Sequence, residues 1–70
     1  MYTILFQGYE TGTGHYLTLA KARKALVEFK REDKEECRRK FGRAKVSGNK
    51  DIYRVEFGAN LFSAGGIAKY

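Results

Sequence analysis

The sequence contains one cysteine, one histidine, no proline and no tryptophan among its 70 residues. A single cysteine cannot form a disulfide within the chain, and one cysteine with one histidine cannot complete the four-ligand shell of a structural zinc site. Domains of this size bury only about 60% of the surface that the unfolded chain exposes, so their cores are small. We therefore expect one domain over residues 1–70, with oligomerisation as the remaining common source of extra stability.

Long apolar runs are also absent. The longest ones, residues 4–6 and 25–27, have three residues each, whereas a membrane-spanning helix needs about 20. The N-terminal segment lacks the basic region, the apolar region and the small-residue cleavage site of a secretory signal. We expect no membrane contact, and the unpaired cysteine favours a cytoplasmic location.

The patterns that are present predict an α+β domain. Residues 1–8 are β-branched and aromatic and end at Gly8, which predicts a strand. Thr18 is a suitable N-cap for a helix over about residues 19–41, with Gly42 as its C-cap. Such a helix is about 34 Å long, more than a small sheet needs, so its second half is expected to project past the sheet or to meet a partner.

The rest of the chain predicts strands. Residues 43–58 alternate between polar and apolar side chains around a turn at Gly48 and Asn49, which is typical of a β-hairpin. Gly65 and Gly66 indicate another turn, with residues 67–70 as a short edge strand or a tail. The predicted core comprises Ile4, Phe6, Leu19, Ala22, Leu26, Phe29, Val46, Tyr53, Val55 and Phe57.

The predicted order is strand, helix, strand, strand, in a three- or four-stranded sheet with one long helix packed on one face. The first two strands would be parallel if they were adjacent. One helix covers only one face of such a sheet, so the other face is free for binding or for a homodimer. The apolar residues without a place in the predicted core are the candidates for that dimer interface: Leu5, Ile52, Leu61 and Phe62.

The net charge of +6 is concentrated in one segment. Residues 1–37 and residues 55–70 each carry as many acidic as basic side chains. Residues 38–54 carry seven basic side chains against Asp51 alone, so this segment accounts for the whole net charge. We call these seven residues the basic patch: Arg38, Arg39, Lys40, Arg43, Lys45, Lys50 and Arg54.

The basic patch is the candidate site for a polyanion. On the predicted hairpin, Arg43, Lys45 and Arg54 fall on the face opposite to the apolar residues. A basic two-stranded ribbon can follow the phosphates of DNA or RNA, or enter a DNA major groove. We expect Arg39 and these three residues to be the main contacts, with the rest of the patch in support. The alternative is a solubilising surface whose lysines protect a sheet edge.

Glycines at positions 8, 12 and 14 precede the predicted helix. Backbone amides at a helix N-terminus can hold a phosphate. However, no P-loop lysine follows, and the chain has no second strand–helix unit for a dinucleotide fold. We interpret the segment as a flexible connector, and as a secondary contact formed by Tyr9, Gly12, Gly14 and Tyr16 if it binds anything. The two tyrosines would then stack on a base or a partner; otherwise they close the rim of the core.

Catalysis is not expected. His15 and Cys37 are the obvious candidates for a nucleophilic pair, but Cys37 lies nineteen residues beyond Thr18, about 28 Å along a continuous helix. Cys37 is therefore interpreted as a small packing residue. The sequence shows no general acid–base pair and no metal cluster, so we expect no enzyme activity, no cofactor, no metal and no small-molecule substrate.

Two classes of function remain open. The first is a non-enzymatic module that binds the backbone of DNA or RNA, with little sequence specificity because the signatures of RNA-recognition motifs, helix-turn-helix domains and zinc fingers are absent. The second is a small inhibitor or adaptor, of the kind that phages and plasmids encode, acting on an acidic surface or a sheet edge of a partner protein. The same charges serve both.

Overall fold

The computed structural model describes residues 1–6, 9–10 and 14–69, with residues 9 and 10 described by their backbone alone. One helix packs against one face of an antiparallel sheet whose strand order is β2-β1-β5-β4-β3. The elements in chain order are β1 (Tyr2–Phe6), β2 (Tyr9–Glu10), α1 (Leu19–Phe41), β3 (Lys45–Gly48), β4 (Ile52–Phe57) and β5 (Asn60–Lys69). The predicted α+β class is confirmed: four longer strands form the sheet, and the two-residue β2 extends one edge.

The ends of α1 follow from local chemistry. Thr18 is extended, and its hydroxyl accepts a hydrogen bond from the backbone N–H of Lys21. Gly42 has a φ of 77°, and its N–H donates to the carbonyl of Arg38 at 2.8 Å. Both are standard helix caps. The last turn contains three basic residues, whose positive charges interact favourably with the negative end of the helix dipole.

The C-terminal segment differs from its prediction. Residues 60–69 form β5, a strand of ten residues between β1 and β4, and the turn expected at Gly65 and Gly66 is absent. The tight turn is instead at Gly58, whose φ is 58°, so that Phe57 pairs with Asn60. Because β5 and β4 separate β1 from β3, the strands that precede and follow α1 in the sequence are not adjacent. The parallel pair that adjacency would have given does not form among the described strands.

The long β5 also corrects the expectation for the helix. A ten-residue strand spans about 33 Å, which matches a 23-residue helix of about 34 Å. The second half of α1 therefore lies on the sheet and does not project past it. Cys37 is fully buried, and Phe41 stacks on Phe57 with ring centroids 3.8 Å apart.

The core forms between α1 and the sheet, as the apolar pattern predicts. Five predicted core residues are buried: Ile4, Ala22, Leu26, Tyr53 and Val55. The other five are half-buried: Phe6, Leu19, Phe29, Val46 and Phe57. Cys37 joins the buried cluster, which confirms its interpretation as a packing residue.

A β-bulge shapes the helix side of the sheet. The register between β4 and β5 shifts after Val55, which pairs with Ser63, while Glu56 pairs with Leu61. Phe62 is the extra residue, and it contacts Phe41 edge-to-face at 5.9 Å. A bulge places two successive side chains on one face of a sheet. Phe62 therefore packs toward the helix, and its expected place in a dimer interface on the opposite face is wrong.

Candidate functional site

All seven residues of the basic patch are exposed, and four of them cluster around the end of α1. Arg38, Arg39 and Lys40 form the last helical turn, and Arg43 follows the left-handed Gly42. The chain enters β3 two residues later at Lys45. The C-cap therefore turns the chain directly from the basic helix end into the basic hairpin.

The helix end is held in place by packing and by a hydrogen bond. The rings of Phe41 and Phe57 are stacked with an interplanar angle of 5°, and Phe62 closes the cluster from the side. The thiol of Cys37 donates to the carbonyl of Arg43 at 3.3 Å. These contacts fix the backbone from which the four basic side chains extend.

Lys45 and Arg54 share the outer face of the hairpin, whereas Arg43, which was also expected there, precedes β3. Lys45 pairs with Glu56 and Ser47 pairs with Arg54, so the two basic residues are diagonal neighbours, about 7–8 Å apart at their Cα atoms. On the other side, Arg54 pairs with Ala64 of β5. Because small side chains flank Arg54 on both sides, its guanidinium group is accessible to a ligand.

Few acidic groups neutralise this surface. Among the described residues, the basic patch has one ion pair, from Lys40 Nζ to Glu36 Oε1 at 3.1 Å. Asp51 is engaged elsewhere: its carboxylate accepts from Nε of Arg23 at 2.8 Å. That hydrogen bond, together with the charge of the guanidinium group, lowers the pKa of Asp51 from its ordinary value. The acidic residue within the charged segment is thus bound to the helix.

Lys50 lies apart from the other six residues. It belongs to the turn at the far end of the hairpin, and Asn49 already lies four residues, about 13 Å, beyond Lys45. The turn itself is rigid: the side-chain oxygen of Asn49 accepts from the N–H groups of Asp51 and Ile52, and the carbonyl of Asp51 accepts from the N–H of Ile67. The structure therefore gathers the patch at one end and leaves Lys50 at the other.

Lys50 instead borders a groove between α1 and β3. The groove has a volume of about 480 Å³ and lies where the helix, which packs over β1, β4 and β5, leaves the outermost strand uncovered. One wall is formed by helix residues and the other by β3 with its turn. The lining residues are Leu26, Val27, Lys30, Val46, Ser47, Gly48, Asn49 and Lys50.

The glycine-rich segment before α1 is described only in part. Gly12 lies outside the described residues, and only the backbone of Tyr9 is described, in β2. Gly14 has a φ of 105°, and its carbonyl accepts from the Thr3 hydroxyl at 3.1 Å. Tyr16 exchanges two backbone hydrogen bonds with Tyr2, and its half-buried ring packs against the core. For Tyr16, this packing agrees with the core-rim alternative.

The structure separates the two residues considered for catalysis. Cys37 is a buried residue of α1, whereas His15 is exposed and precedes the N-cap of the same unbroken helix. Within the part of the chain that the structure describes, no three His, Cys, Asp or Glu residues come together as metal ligands. No helix in that part is long and apolar enough to span a membrane.

A polar cluster under the helix was not predicted. The carboxylate of Asp33 accepts hydrogen bonds from the hydroxyl of Tyr53 and, at 2.8 Å, from the hydroxyl of Ser63. Burial and the bond to Asp33 raise the pKa of Tyr53. The signal was the position of Asp33 in the helical stripe, four residues after Phe29 and four before Cys37. The cluster joins α1 to β4 and β5 and thereby supports the basic end of the helix.

In comparisons with protein-family models, with curated proteins and with solved structures, no match to this chain is found. The interpretation of the site therefore rests on its own geometry and charge.

Proposed function

We propose that this chain is a non-enzymatic binding protein that contacts the phosphate backbone of DNA or RNA through the basic patch. The observation that carries the proposal is the excess of exposed cations: the seven basic side chains of the patch account for the net charge of +6, and of these seven only Lys40 forms an ion pair with another described residue. Phosphate contacts release condensed counterions, which is the main source of sequence-independent affinity.

The support for a backbone contact is geometric as well. Arg38, Arg39, Lys40 and Arg43 extend from a helix end that is fixed by aromatic packing, and Lys45 and Arg54 extend from the outer face of the hairpin, which the chain enters two residues after Arg43. Arginine presents a planar fork that binds phosphate in a bidentate way. A surface that turns from a helix end onto a strand ribbon can follow successive phosphates without reading bases.

The test is fluorescence anisotropy with labelled duplex DNA, single-stranded DNA and RNA of unrelated sequence, repeated across a range of salt concentrations. We expect binding that weakens steeply with salt. The variant Arg43→Ala/Arg54→Ala removes two exposed contacts and should reduce the salt slope by about two, because each lost phosphate contact reduces it by about one.

The matched control is Lys21→Ala/Lys24→Ala. It removes the same charge from exposed positions near the start of α1, outside the basic patch. We expect it to leave the salt slope nearly unchanged. If both double variants stay folded and bind as the parent does, the basic patch is only a solubilising surface, and the proposal is wrong.

The alternative function is a small inhibitor or adaptor that acts on another protein. The observation that favours it is the uncovered edge of β3 beside the groove. An extended protein segment can add to such an edge as a further strand, whereas a nucleic-acid duplex cannot. Absence of oligonucleotide binding even at low salt would favour this alternative. A pull-down from a cell lysate would then identify the partner. The cytoplasmic location expected from the unpaired cysteine stays a prediction.

The homodimer expected from the sequence also stays a prediction. Leu5 and Ile52 flank Gly66 on the outer sheet face, around a depression of about 320 Å³, and Leu61 is exposed on the same face. Arg54 borders this depression, so dimerisation and polyanion binding would compete for it. Sedimentation that shows a monomer at high micromolar concentration would exclude the dimer.

A further inference from the structure

The open edge of β3 presents unpaired backbone groups. β3 pairs with β4 on one side only, and no other described strand adjoins it. The N–H of Asn49 donates to the carbonyl of Ile52 at 2.9 Å. This bond determines which residue pairs of β3 and β4 are hydrogen-bonded and which are not. Residues 45 and 47 then bond to β4, and the N–H and C=O groups of Val46 and Gly48 point outward.

The groove described above runs along this same edge. Its helix wall contains the buried Leu26 and also Val27, whose surface is 53% exposed. Its strand wall contains the half-buried Val46. An extended chain that pairs with Val46 and Gly48 would therefore place every second side chain in a partly apolar groove. At Gly48, whose φ is 125°, a Cβ would overlap the carbonyl oxygen of Ile52, so the missing side chain makes room for the hairpin's own backbone.

The charge of the groove selects its occupant. Two lysines, Lys30 and Lys50, line it, and none of its lining residues is acidic. A second copy of this chain is disfavoured, because each copy carries a net charge of +6 and has Arg43 and Lys45 at the start of the same edge. A segment with branched apolar side chains and carboxylates is complementary to both walls.

We propose that the edge of β3 binds an extended acidic segment of another protein by strand addition, with apolar side chains in the groove and carboxylates beside Lys30 and Lys50. Backbone hydrogen bonds to Val46 and Gly48 supply affinity, and the groove supplies side-chain preference. This binding site is distinct from the proposed phosphate contact, since only Lys50 belongs to both.

The test uses a labelled synthetic peptide with the repeat Val-Thr-Glu-Thr, in which valine and glutamate fall on the same face of an extended strand, and a basic counterpart of the same length in which lysine replaces each glutamate. Binding is followed by anisotropy, and strand addition by NMR-detected amide hydrogen exchange. We expect the acidic peptide to bind, the basic one not to bind, and the amides of Val46 and Gly48 to become protected. An acidic peptide with N-methylated amides should lose binding, since it cannot form the backbone ladder.

The informative variant is Lys30→Glu, with Lys34→Glu as the matched control. Both reverse one charge on α1, but Lys34 does not line the groove. We expect Lys30→Glu to weaken peptide binding about fivefold, as for an exposed attractive pair made repulsive, and Lys34→Glu to have little effect. Equal effects of the two variants, or equal binding of the basic peptide, would overturn the proposal.

Other outcomes identify a different occupant. Protection of Val46 and Gly48 that rises with protein concentration alone would mean that a second copy pairs with β3, and protection by an oligonucleotide would mean that nucleic acid occupies the edge. Either result overturns the acidic segment. Arg43→Ala/Arg54→Ala should retain peptide binding while it loses oligonucleotide affinity, so the two proposals can fail separately.

Discussion

Tyr53 and Gly65 face each other across β4 and β5, and the tyrosine ring occupies the space that a side chain at position 65 would need. A Cβ built on Gly65 would overlap Cε1 of Tyr53 and would lie 2.9 Å from its Cζ. The same ring carries the hydroxyl that donates to Asp33 of α1. One glycine therefore allows a single tyrosine to link both central strands to the helix.

Replacing Gly65 by alanine should destabilise the fold. The added methyl group must displace a buried ring, and such overpacking costs about 1–3 kcal/mol. Because the ring is bonded to Asp33, it cannot move aside without loss of that hydrogen bond. Urea unfolding followed by circular dichroism measures the change. Gly66→Ala is the control: its Cβ would meet the Ile52 side chain at 3.2 Å on the outer face, so a smaller effect is expected. Equal stability of the parent and Gly65→Ala would contradict this packing.

The stability of the protein should fall at alkaline pH through Tyr53. The pKa of Tyr53 is higher in the folded protein than its ordinary value of 10.0. Its contribution is therefore fully present below about pH 10 and is lost as pH rises toward the raised value. Tyr53→Phe should remove this part of the alkaline dependence. It should also cost about 1.5–3 kcal/mol at neutral pH, since a hydrogen bond to a carboxylate is lost.

Urea unfolding of the parent and of Tyr53→Phe at a series of pH values provides the measurement. Ser63→Ala is the matched control, because it removes the other hydroxyl bonded to Asp33 but keeps the ionisable phenol. We expect Ser63→Ala to lower stability at every pH and to keep the alkaline loss. If the alkaline loss persists in Tyr53→Phe, another group causes it.

The helix, its caps and the hairpin could be predicted because their signals are local. Thr18, Gly42 and the spacing from Ala22 to Phe29 act within a few residues of one another. β5 could not be predicted, since Gly65 and Gly66 resemble a turn unless Tyr53, which is distant in sequence, is known to lie against them. A sheet without the ten residues of β5 is too short for a helix of 23 residues, so the helix was expected to project past it.

The candidate site divides in the same way. Strand alternation is enough to put Lys45 and Arg54 on an outer face, and charge counting locates the patch. The groove beside β3 depends instead on where α1 lies across the sheet, and α1 is held there by contacts between residues that are distant in sequence, such as Asp33 with Tyr53 and Ser63. The spacing of residues within one helix or strand does not predict where the helix lies across the sheet.

Phe41 should be important for stability although 47% of its surface is exposed. It stacks on Phe57 and contacts Phe62 edge-to-face. Phe41→Ala therefore removes two aromatic contacts that hold the end of α1 against the sheet. We expect a loss of about 1.5–3 kcal/mol, less than for a fully buried phenylalanine. Leu17→Ala, at a position that is 70% exposed, should change stability by less than about 0.5 kcal/mol. Thermal unfolding of both variants tests the contrast, and similar melting temperatures would mean that the helix end is held in another way.

The ion pair between Arg23 and Asp51 should contribute to stability at neutral pH but not in acid. Its side chains are partly exposed, so the effect is small. The pKa of Asp51 is below its ordinary value of 3.8 in the folded protein. Its contribution is therefore present above that value and is lost as pH falls through the lowered pKa. Asp51→Asn should lower stability at neutral pH and weaken the dependence in acid.

Arg23→Gln should reproduce both effects, because it removes the other half of the same pair. Glu28→Gln is the control, since Glu28 lies 3.9 Å from Arg31 on the exposed side of α1 and does not join the helix to the hairpin. Urea unfolding at neutral pH and at about pH 3 compares the variants. If Asp51→Asn follows the parent at both values, the turn of the hairpin is held by the side-chain oxygen of Asn49 and by backbone hydrogen bonds, without help from the ion pair. The wall of the groove at Asn49 and Lys50 would then not depend on the ion pair.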